Sequence, residues 1–287
     1  MILHGDVQER ALEIEEKDMA KVIIAGAAGR MGRRIGYMVN EHPELQVTAG
    51  FERADNPDLG KDMGELGGYG TNGVKVASGL DAVIDQGDVI IDFTFHEATM
   101  QIARQAAEKN RAMVIGTTGL SQENLQELAE LTENFPCVQA PNMAVGVNVL
   151  FKLAAKVASI LGNDYDMEIV EAHHRMKKDA PSGTAMKLGE VMAQAVGRDL
   201  EKDGVFSRHG IIGARTDNEI GLQTIRAGDI VGEHTVYFAG AGERLELTHR
   251  AHSRDNFARG AALAAAWVVQ QSNGLYNMFD VLGLQDL

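Results

Sequence analysis

A short apolar run, Lys21-Val22-Ile23-Ile24-Ala25, ends on Gly26-Ala27-Ala28-Gly29-Arg30-Met31-Gly32 and continues as a helical stretch from about Met31 to Asn40. An apolar run closed by glycine reads as a buried parallel strand. Gly26 allows a tight turn, Gly29 lets backbone approach a pyrophosphate, and Gly32 lets the helix pack closely on the strand. Free N–H groups at the helix start, with the helix dipole, attract phosphates. Spaced glycines alone are a weak signal, and an ordinary turn is the alternative. Between a strand and a helix they point to a dinucleotide site. Glu52 follows a second strand, Val47–Phe51, about 20 residues past the last glycine, where a carboxylate accepts from ribose hydroxyls. Arg53 beside it is placed to meet a 2′-phosphate, so NADH and NADPH both stay open.

Strand and helix keep alternating after this point. Residues 60–73 read as a long Gly-rich loop, and Asp88–Phe93 as a further buried strand with a helix running on to about Asn110. Ala112–Ile115 is the next strand, ending at Gly116-Thr117-Thr118-Gly119. Ser121 is an N-cap for a helix to about Asn134, and Cys137–Ala140 a strand before Pro141. Such alternation is the signature of an α/β fold with a doubly wound, Rossmann-like parallel sheet. Phe93-Thr94 and Gly116-Thr117-Thr118 stand at C-terminal strand ends, the edge where open α/β sheets bind ligands. Turn chemistry alone is the competing reading, since Gly and Thr cap helices readily.

The pattern then changes. Leu150, Ala154, Val157, Ala158 and Leu161 fall at helical spacing. Three β-rich runs, Leu222–Ala227, Val231–Ala239 and Arg244–Thr248, leave little room for crossover helices and imply antiparallel pairing or a mixed sheet. The expected organisation is a charged leader over 1–20, a dinucleotide-binding domain over 21–142 plus 257–287, and a second α+β domain over 143–256. A last helix, Phe257 to Gln271, is set to pack back on the first domain.

Composition narrows the function. With 27 Lys and Arg against 41 Asp and Glu, the formal charge is −14. A field of that sign repels nucleic acid and anionic membranes, and an anionic ligand needs a local cationic pocket. Cys137 is the single cysteine, so no intramolecular disulfide or cysteine-rich metal site is possible. Its place inside an apolar strand suits an inert thiol better than a nucleophile. No apolar run approaches the roughly 20 residues needed to cross a bilayer. Residues 1–20 carry Glu9, Arg10, Glu13, Glu15, Glu16, Lys17 and Asp18 rather than a signal peptide's apolar centre, and Met19 is an alternative start. The expected compartment is the cytoplasm.

The densest chemistry lies in Glu171-Ala172-His173-His174-Arg175-Met176-Lys177-Lys178-Asp179-Ala180-Pro181-Ser182-Gly183-Thr184-Ala185. Two imidazoles and three cations crowd the end of a strand, Met167–Val170, in an acidic protein. Adjacent strand residues face opposite ways, so His173 and His174 have different tasks. Pro181-Ser182-Gly183-Thr184 opens a helix in which Ser182 is the N-cap and Gly183 and Thr184 offer free N–H groups to an anion. A solvated basic loop before a capped helix is the bland alternative. Two histidines, Lys177 and an anion-ready helix start together favour an active site. A metal is not expected, because no carboxylate or cysteine at ligand spacing joins the histidines.

This segment resembles the signature of the dihydrodipicolinate reductase family of lysine and diaminopimelate biosynthesis. So do Gly26–Gly32, Asp92-Phe93-Thr94, Gly116–Gly119, Ala140-Pro141-Asn142-Met143 and Arg226–His234, and the resemblance runs from about residue 20 to the C-terminus. It implies NADH- or NADPH-dependent reduction of a cyclic unsaturated dicarboxylate, 4-hydroxy-tetrahydrodipicolinate (dihydrodipicolinate), to tetrahydrodipicolinate. It implies His173 as proton donor or acceptor and Lys177 as a second general acid. His174, Gly183 and Thr184 would hold a substrate carboxylate. Gly26, Ala27, Ala28, Gly29, Arg30, Met31, Glu52, Arg53, Gly116, Thr117, Thr118, Ala140, Pro141, Asn142 and Met143 would hold the cofactor. A homotetramer built through the second domain is the assembly it implies. Phe95-His96 after Phe93-Thr94 departs from the polar or basic residue common there in relatives, which leaves the cofactor preference open.

Overall fold

The computed structural model describes residues 19–287, so the charged leader falls outside the described residues up to position 18. In chain order, β1 (Ala20–Ala25) turns into α1 (Arg30–Asn40), followed by β2 (Leu45–Glu52), α2 (Met63–Gly67), β3 (Val76–Ser78) and β4 (Val89–Asp92). Next come α3 (His96–Lys109), β5 (Ala112–Ile115), α4 (Gln122–Leu131) and β6 (Pro136–Gln139). Then follow α5 (Val145–Leu161), β7 (Asp166–His173), α6 (Gly183–Ala195), α7 (Leu200–Asp203) and β8 (Gly204–Val205). β9 (Ile220–Arg226), β10 (Gly232–Gly240), β11 (Glu243–Ala251), α8 (Asp255–Val268), β12 (Gly274–Tyr276) and α9 (Met278–Val281) complete the chain. Two compact units result: one runs to Pro141 and resumes over Ala258–Val281, and the other holds Asn142–Phe257 with Leu282–Leu287.

In the first unit seven strands form one sheet in the order β12-β6-β5-β4-β1-β2-β3, with every neighbouring pair parallel. The strands can be all-parallel because they are apolar on both faces: every residue of β4 and β5 is buried. Ile23, Ile90, Met113, Ile115 and Phe135 are fully enclosed in its core. Burial of each such side chain stabilises by about 1.5–3 kcal/mol. Strand order reverses between β1 and β4, which opens a ligand crevice at the C-terminal strand ends. Ser121 caps α4 as expected, exchanging hydrogen bonds with Asn124 in a capping box.

The second unit carries a five-stranded mixed sheet in the order β11-β10-β7-β9-β8. The three β-rich runs of the sequence are β9, β10 and β11. β9 and β10 do not pair, however, because β7 lies between them, parallel to β9 and antiparallel to β10. That register sets Glu171 opposite Thr224 and His234, and His173 opposite Arg226.

Three sequence expectations need correction. The segment 60–73 contains α2: Asp62 caps it by accepting from the Gly64 and Glu65 amides, and Gly68, at φ 78, ends it. Ala20, assigned to the leader, already belongs to β1. Residues Val145–Asp164 have the length and apolarity of a membrane span, with a mean hydropathy of 1.6. The polar Asn148, Lys152 and Lys156 hide that run in the sequence. Val147, Leu150, Phe151, Ala154 and Ala158 recur at helical spacing and are buried, so the helix buries one apolar face and packs on α6.

Candidate functional site

The glycine turn of the first unit is held by its own backbone. Gly26 adopts φ +64, the Gly29 N–H donates to the Gly26 carbonyl at 2.9 Å, and the Ala27 N–H donates to Phe51 O at 3.2 Å. A Cβ on Gly32 would stand 2.1 Å from the Gly26 oxygen, so only glycine lets α1 approach this closely. Gly29 is the N-cap of α1 and has no side chain with which to cap it, leaving the first amides open to an anion. The Glu52 carboxylate accepts the Ala28 N–H at 3.0 Å through Oε1, joining the end of β2 to the turn.

Around this turn lies a cavity of about 780 Å³, within the range of ligand sites. Gly26, Gly29, Arg30, Met31, Glu52 and Arg53 line it, together with Phe93 and Thr94. Arg53 is exposed and only loosely paired with Asp55, at 3.6 Å. An open helix start beside a pinned carboxylate is a surface that a dinucleotide fits.

Not every residue expected at the cofactor reaches that wall. Ala27, Ala28, Gly116–Thr118 and Ala140–Met143 are absent from it. Gly116 instead packs under the Phe93 ring, which a Cβ would meet at 2.2 Å. Thr117 is buried, and its hydroxyl donates to Asp92 at 3.2 Å. Asp92 also accepts from Thr94 and Thr99, at 2.6 and 2.5 Å from their hydroxyls, so it ties the ends of β4 and β5 together. Burial pushes its carboxyl up, against the hydrogen bonds of these threonines. Ala140 and Met143 are buried. The Asn142 amide donates to Thr184 Oγ1 at 3.1 Å, within the second unit. Cys137 is fully buried and its thiol is pushed up by desolvation, the opposite of an activated nucleophile.

The second unit gathers the histidine segment around one buried carboxylate. Glu171 and His173 are two residues apart on β7 and share a face, and His173 Nδ1 lies 2.6 Å from Glu171 Oε2. Arg226 forks onto both carboxylate oxygens at 2.8 Å, with the Ser182 N–H at 2.9 Å and the Thr224 hydroxyl at 3.2 Å. Burial alone would raise the Glu171 carboxyl. The bonds from His173, Arg226 and Ser182 outweigh it and hold the carboxyl well below the usual carboxylate range. Lys177 Nζ meets Asp179 at 3.0 Å, and the Lys177 N–H closes a turn onto the half-buried His174 carbonyl. Ser182 caps α6 by accepting the Ala185 N–H, while a Cβ on Gly183 would find open space. Among the described residues no three His, Cys, Asp or Glu side chains converge on a metal position.

His234 is the residue of this cluster with the strongest shift. Its ring is 4% exposed, packs edge-on to His173 at 5.2 Å between centroids, and shares a 3.2 Å contact with Ser182 Oγ. Burial, then repulsion from His173, pushes His234 down to about 3. The unfolded chain takes up this proton near pH 6.5. The stabilising term is therefore complete above that pH and is lost as pH falls toward 3. In urea unfolding, wild type should lose about 2 kcal/mol more than His234→Gln between pH 7 and pH 5. Equal losses in both proteins would show that His234 is not held neutral.

Two family models match this chain: "Dihydrodipicolinate reductase, N-terminus" over residues 20–143 and "Dihydrodipicolinate reductase, C-terminus" over residues 146–282. The chain belongs to the dihydrodipicolinate reductase family. A 4-hydroxy-tetrahydrodipicolinate reductase from Desulfotalea psychrophila is 66% identical over 269 residues, covering 94% of this chain and all of the relative. One from Syntrophus aciditrophicus is 55% identical over 267 residues, covering 93% of this chain and all of the relative. A dipicolinate-bound dihydrodipicolinate reductase from Paenisporosarcina sp. TG-14 superposes with a TM-score of 0.74 at 27% identity, over 91% of this chain and 98% of that one.

Several members of the cluster carry no local signal in the sequence. Glu171 and His173 at alternate strand positions were a usable signal. Arg226 and Thr224 stand more than 50 residues away, on a strand whose neighbour the sequence does not reveal. His234 belongs to a quoted family motif, but only the register of β10 on β7 brings it beside Glu171.

Proposed function

We propose that this chain reduces 4-hydroxy-tetrahydrodipicolinate, as its dehydrated form dihydrodipicolinate and so with loss of one water, to tetrahydrodipicolinate with NADH or NADPH, in the cytoplasm, as a step of lysine and diaminopimelate biosynthesis. Its family membership supports the reaction, and the observation that carries the site is the cluster of His173, Lys177 and the open start of α6 in one unit. A nicotinamide supplies a hydride. The chain's own residues do the rest. In the first unit, Gly26–Met31 shape the cradle for a diphosphate, the amides at the open start of α1 donate to it, and the Glu52 oxygen not bonded to Ala28 accepts from a ribose diol. Gly116–Thr118 and Ala140–Met143 complete the cofactor set.

In the second unit, Gly183 and Thr184 amides and His174 hold a substrate carboxylate. His173 hands a proton to the ring carbon beside the reduced one. Lys177 is the second acid, serving the ring nitrogen as charge develops there. The second unit is also the assembly surface of a homotetramer. No residue of either unit is assigned to a metal.

Steady-state kinetics with the substrate generated in situ tests this reading. Nicotinamide oxidation should depend on the dicarboxylate and proceed with at least one of the two cofactors; no turnover with either contradicts it. In the same assay Glu52→Ala should weaken NADH more than NADPH, because only the ribose diol loses its acceptor. Equal losses would remove Glu52 from the ribose.

A further inference from the structure

We infer that Glu171 is a positioning residue with two simultaneous tasks: it selects the nitrogen with which His173 exchanges a proton, and it sets the anion-binding start of α6. The inference rests on the proposed dicarboxylate reduction.

The two oxygens of this carboxylate divide the work. Oε2 lies 2.6 Å from His173 Nδ1 and 2.8 Å from Arg226. An ionised carboxylate only accepts, so Nδ1 carries the hydrogen and Nε2 is the nitrogen left for a ligand. The edge-on His234 ring fixes the plane of the imidazole. A side chain at Gly232 would come within 3.1 Å of Nε2, so glycine there keeps that nitrogen clear.

Oε1 faces the other way. It accepts the backbone N–H of Ser182 at 2.9 Å, the Thr224 hydroxyl at 3.2 Å and the second Arg226 nitrogen at 2.8 Å. Ser182 is the N-cap of α6, and the residue after it, Gly183, carries no side chain at a position where a Cβ would meet only open space. A shift of the Glu171 carboxylate therefore displaces the proton-bearing ring and the helix start together. Arg226 holds the carboxylate still, and it also donates to the Asp179 carbonyl at 2.6 Å, beside the partner of Lys177.

A purely structural ion pair between β7 and β9 makes a different prediction: lower stability, with normal turnover in the folded fraction. Glu171→Gln separates the two. An amide must turn one donor toward a group that already donates, either His173 and Arg226 or Ser182 and Thr224. In folded protein, turnover should fall by about 10²-fold or more, as when an orienting carboxylate beside a catalytic histidine becomes an amide. The Kd of dipicolinate, a non-reacting dicarboxylate probe, should rise about fivefold, and equally so in a His173→Gln background. Dinucleotide Kd should stay within about twofold, because Glu171 shares no bond with the glycine turn or Glu52, which belong to the other unit.

Wild-type turnover in folded Glu171→Gln, or an unmoved dipicolinate Kd, overturns the inference. If Glu171→Gln does not fold, Thr224→Val decides, since it removes one donor from Oε1 alone. Dipicolinate should then bind about two- to fivefold more weakly, and an unchanged Kd overturns the inference. A fully active His173→Gln would sink the proposed reaction itself, whereas an inactive His173→Gln beside an active Glu171→Gln sinks only the role of Glu171.

Discussion

His173→Gln is expected to cut turnover by about 10²–10⁴-fold, the usual contribution of a general acid. Glutamine fills the same space and can still donate to Glu171, so the buried carboxylate is not abandoned. It cannot exchange a proton near neutral pH, and that is the function removed. The glycine turn and its cavity lie in the other unit, so dinucleotide affinity should stay within about twofold of wild type. Turnover within about threefold of wild type would take His173 out of the mechanism.

Lys177→Met should cause a second large loss of turnover. A dicarboxylate is poorly held by a chain of net charge −14 unless a cation lies against it. Lysine gives a compact charge with three donors and can release a proton as charge develops on a ring nitrogen. Methionine keeps most of the side-chain volume and removes both functions. Lys177 is paired at 3.0 Å with the exposed Asp179, an ion pair that an incoming carboxylate can replace at little cost. Any rise in KM should change only slightly with salt, since a pair inside a pocket is weakly screened. Calorimetry should find dinucleotide binding almost unaltered. A collapse of that affinity with turnover preserved at saturation would make Lys177 a cofactor ligand.

Much of the first unit could be read from local sequence, because β1, β5 and β6 are apolar runs that end at or next to a glycine or proline. A parallel sheet follows from alternation, whereas the strand order, with its reversal between β1 and β4, is set by the tertiary fold. The Gly-rich segment misled because its glycines serve tight packing as well as looping. A Cβ on Gly64 would stand 1.9 Å from the Gly70 oxygen, so a helix is folded into what resembles a linker. The second unit was less legible. Its pairing depends on β7 inserting between β9 and β10, and no local pattern encodes a contact of that range.

The site divides along the same line. His173, Lys177 and the Ser182 cap stand in one stretch of 15 residues and were visible as a cluster. Arg226, Thr224 and His234, which hold Glu171 and neighbour its histidine, become partners only through strand register. At the cofactor edge the glycine turn and Glu52 announced themselves by spacing. Asp92 did not, because a carboxylate at the end of a buried strand looks like any strand terminus until three threonine hydroxyls converge on it.

In the proposed reaction the two hydrogens added to the substrate come from different sources, one from a nicotinamide and one from an acid on this chain. Mass analysis of the product from cofactor deuterated at the transferring position, run in ordinary water and in heavy water, measures this directly. One deuterium should come from the cofactor in either solvent, and one further carbon-bound deuterium should appear only in heavy water. A product with no deuterium from the cofactor, or with both new hydrogens drawn from solvent, would contradict the account.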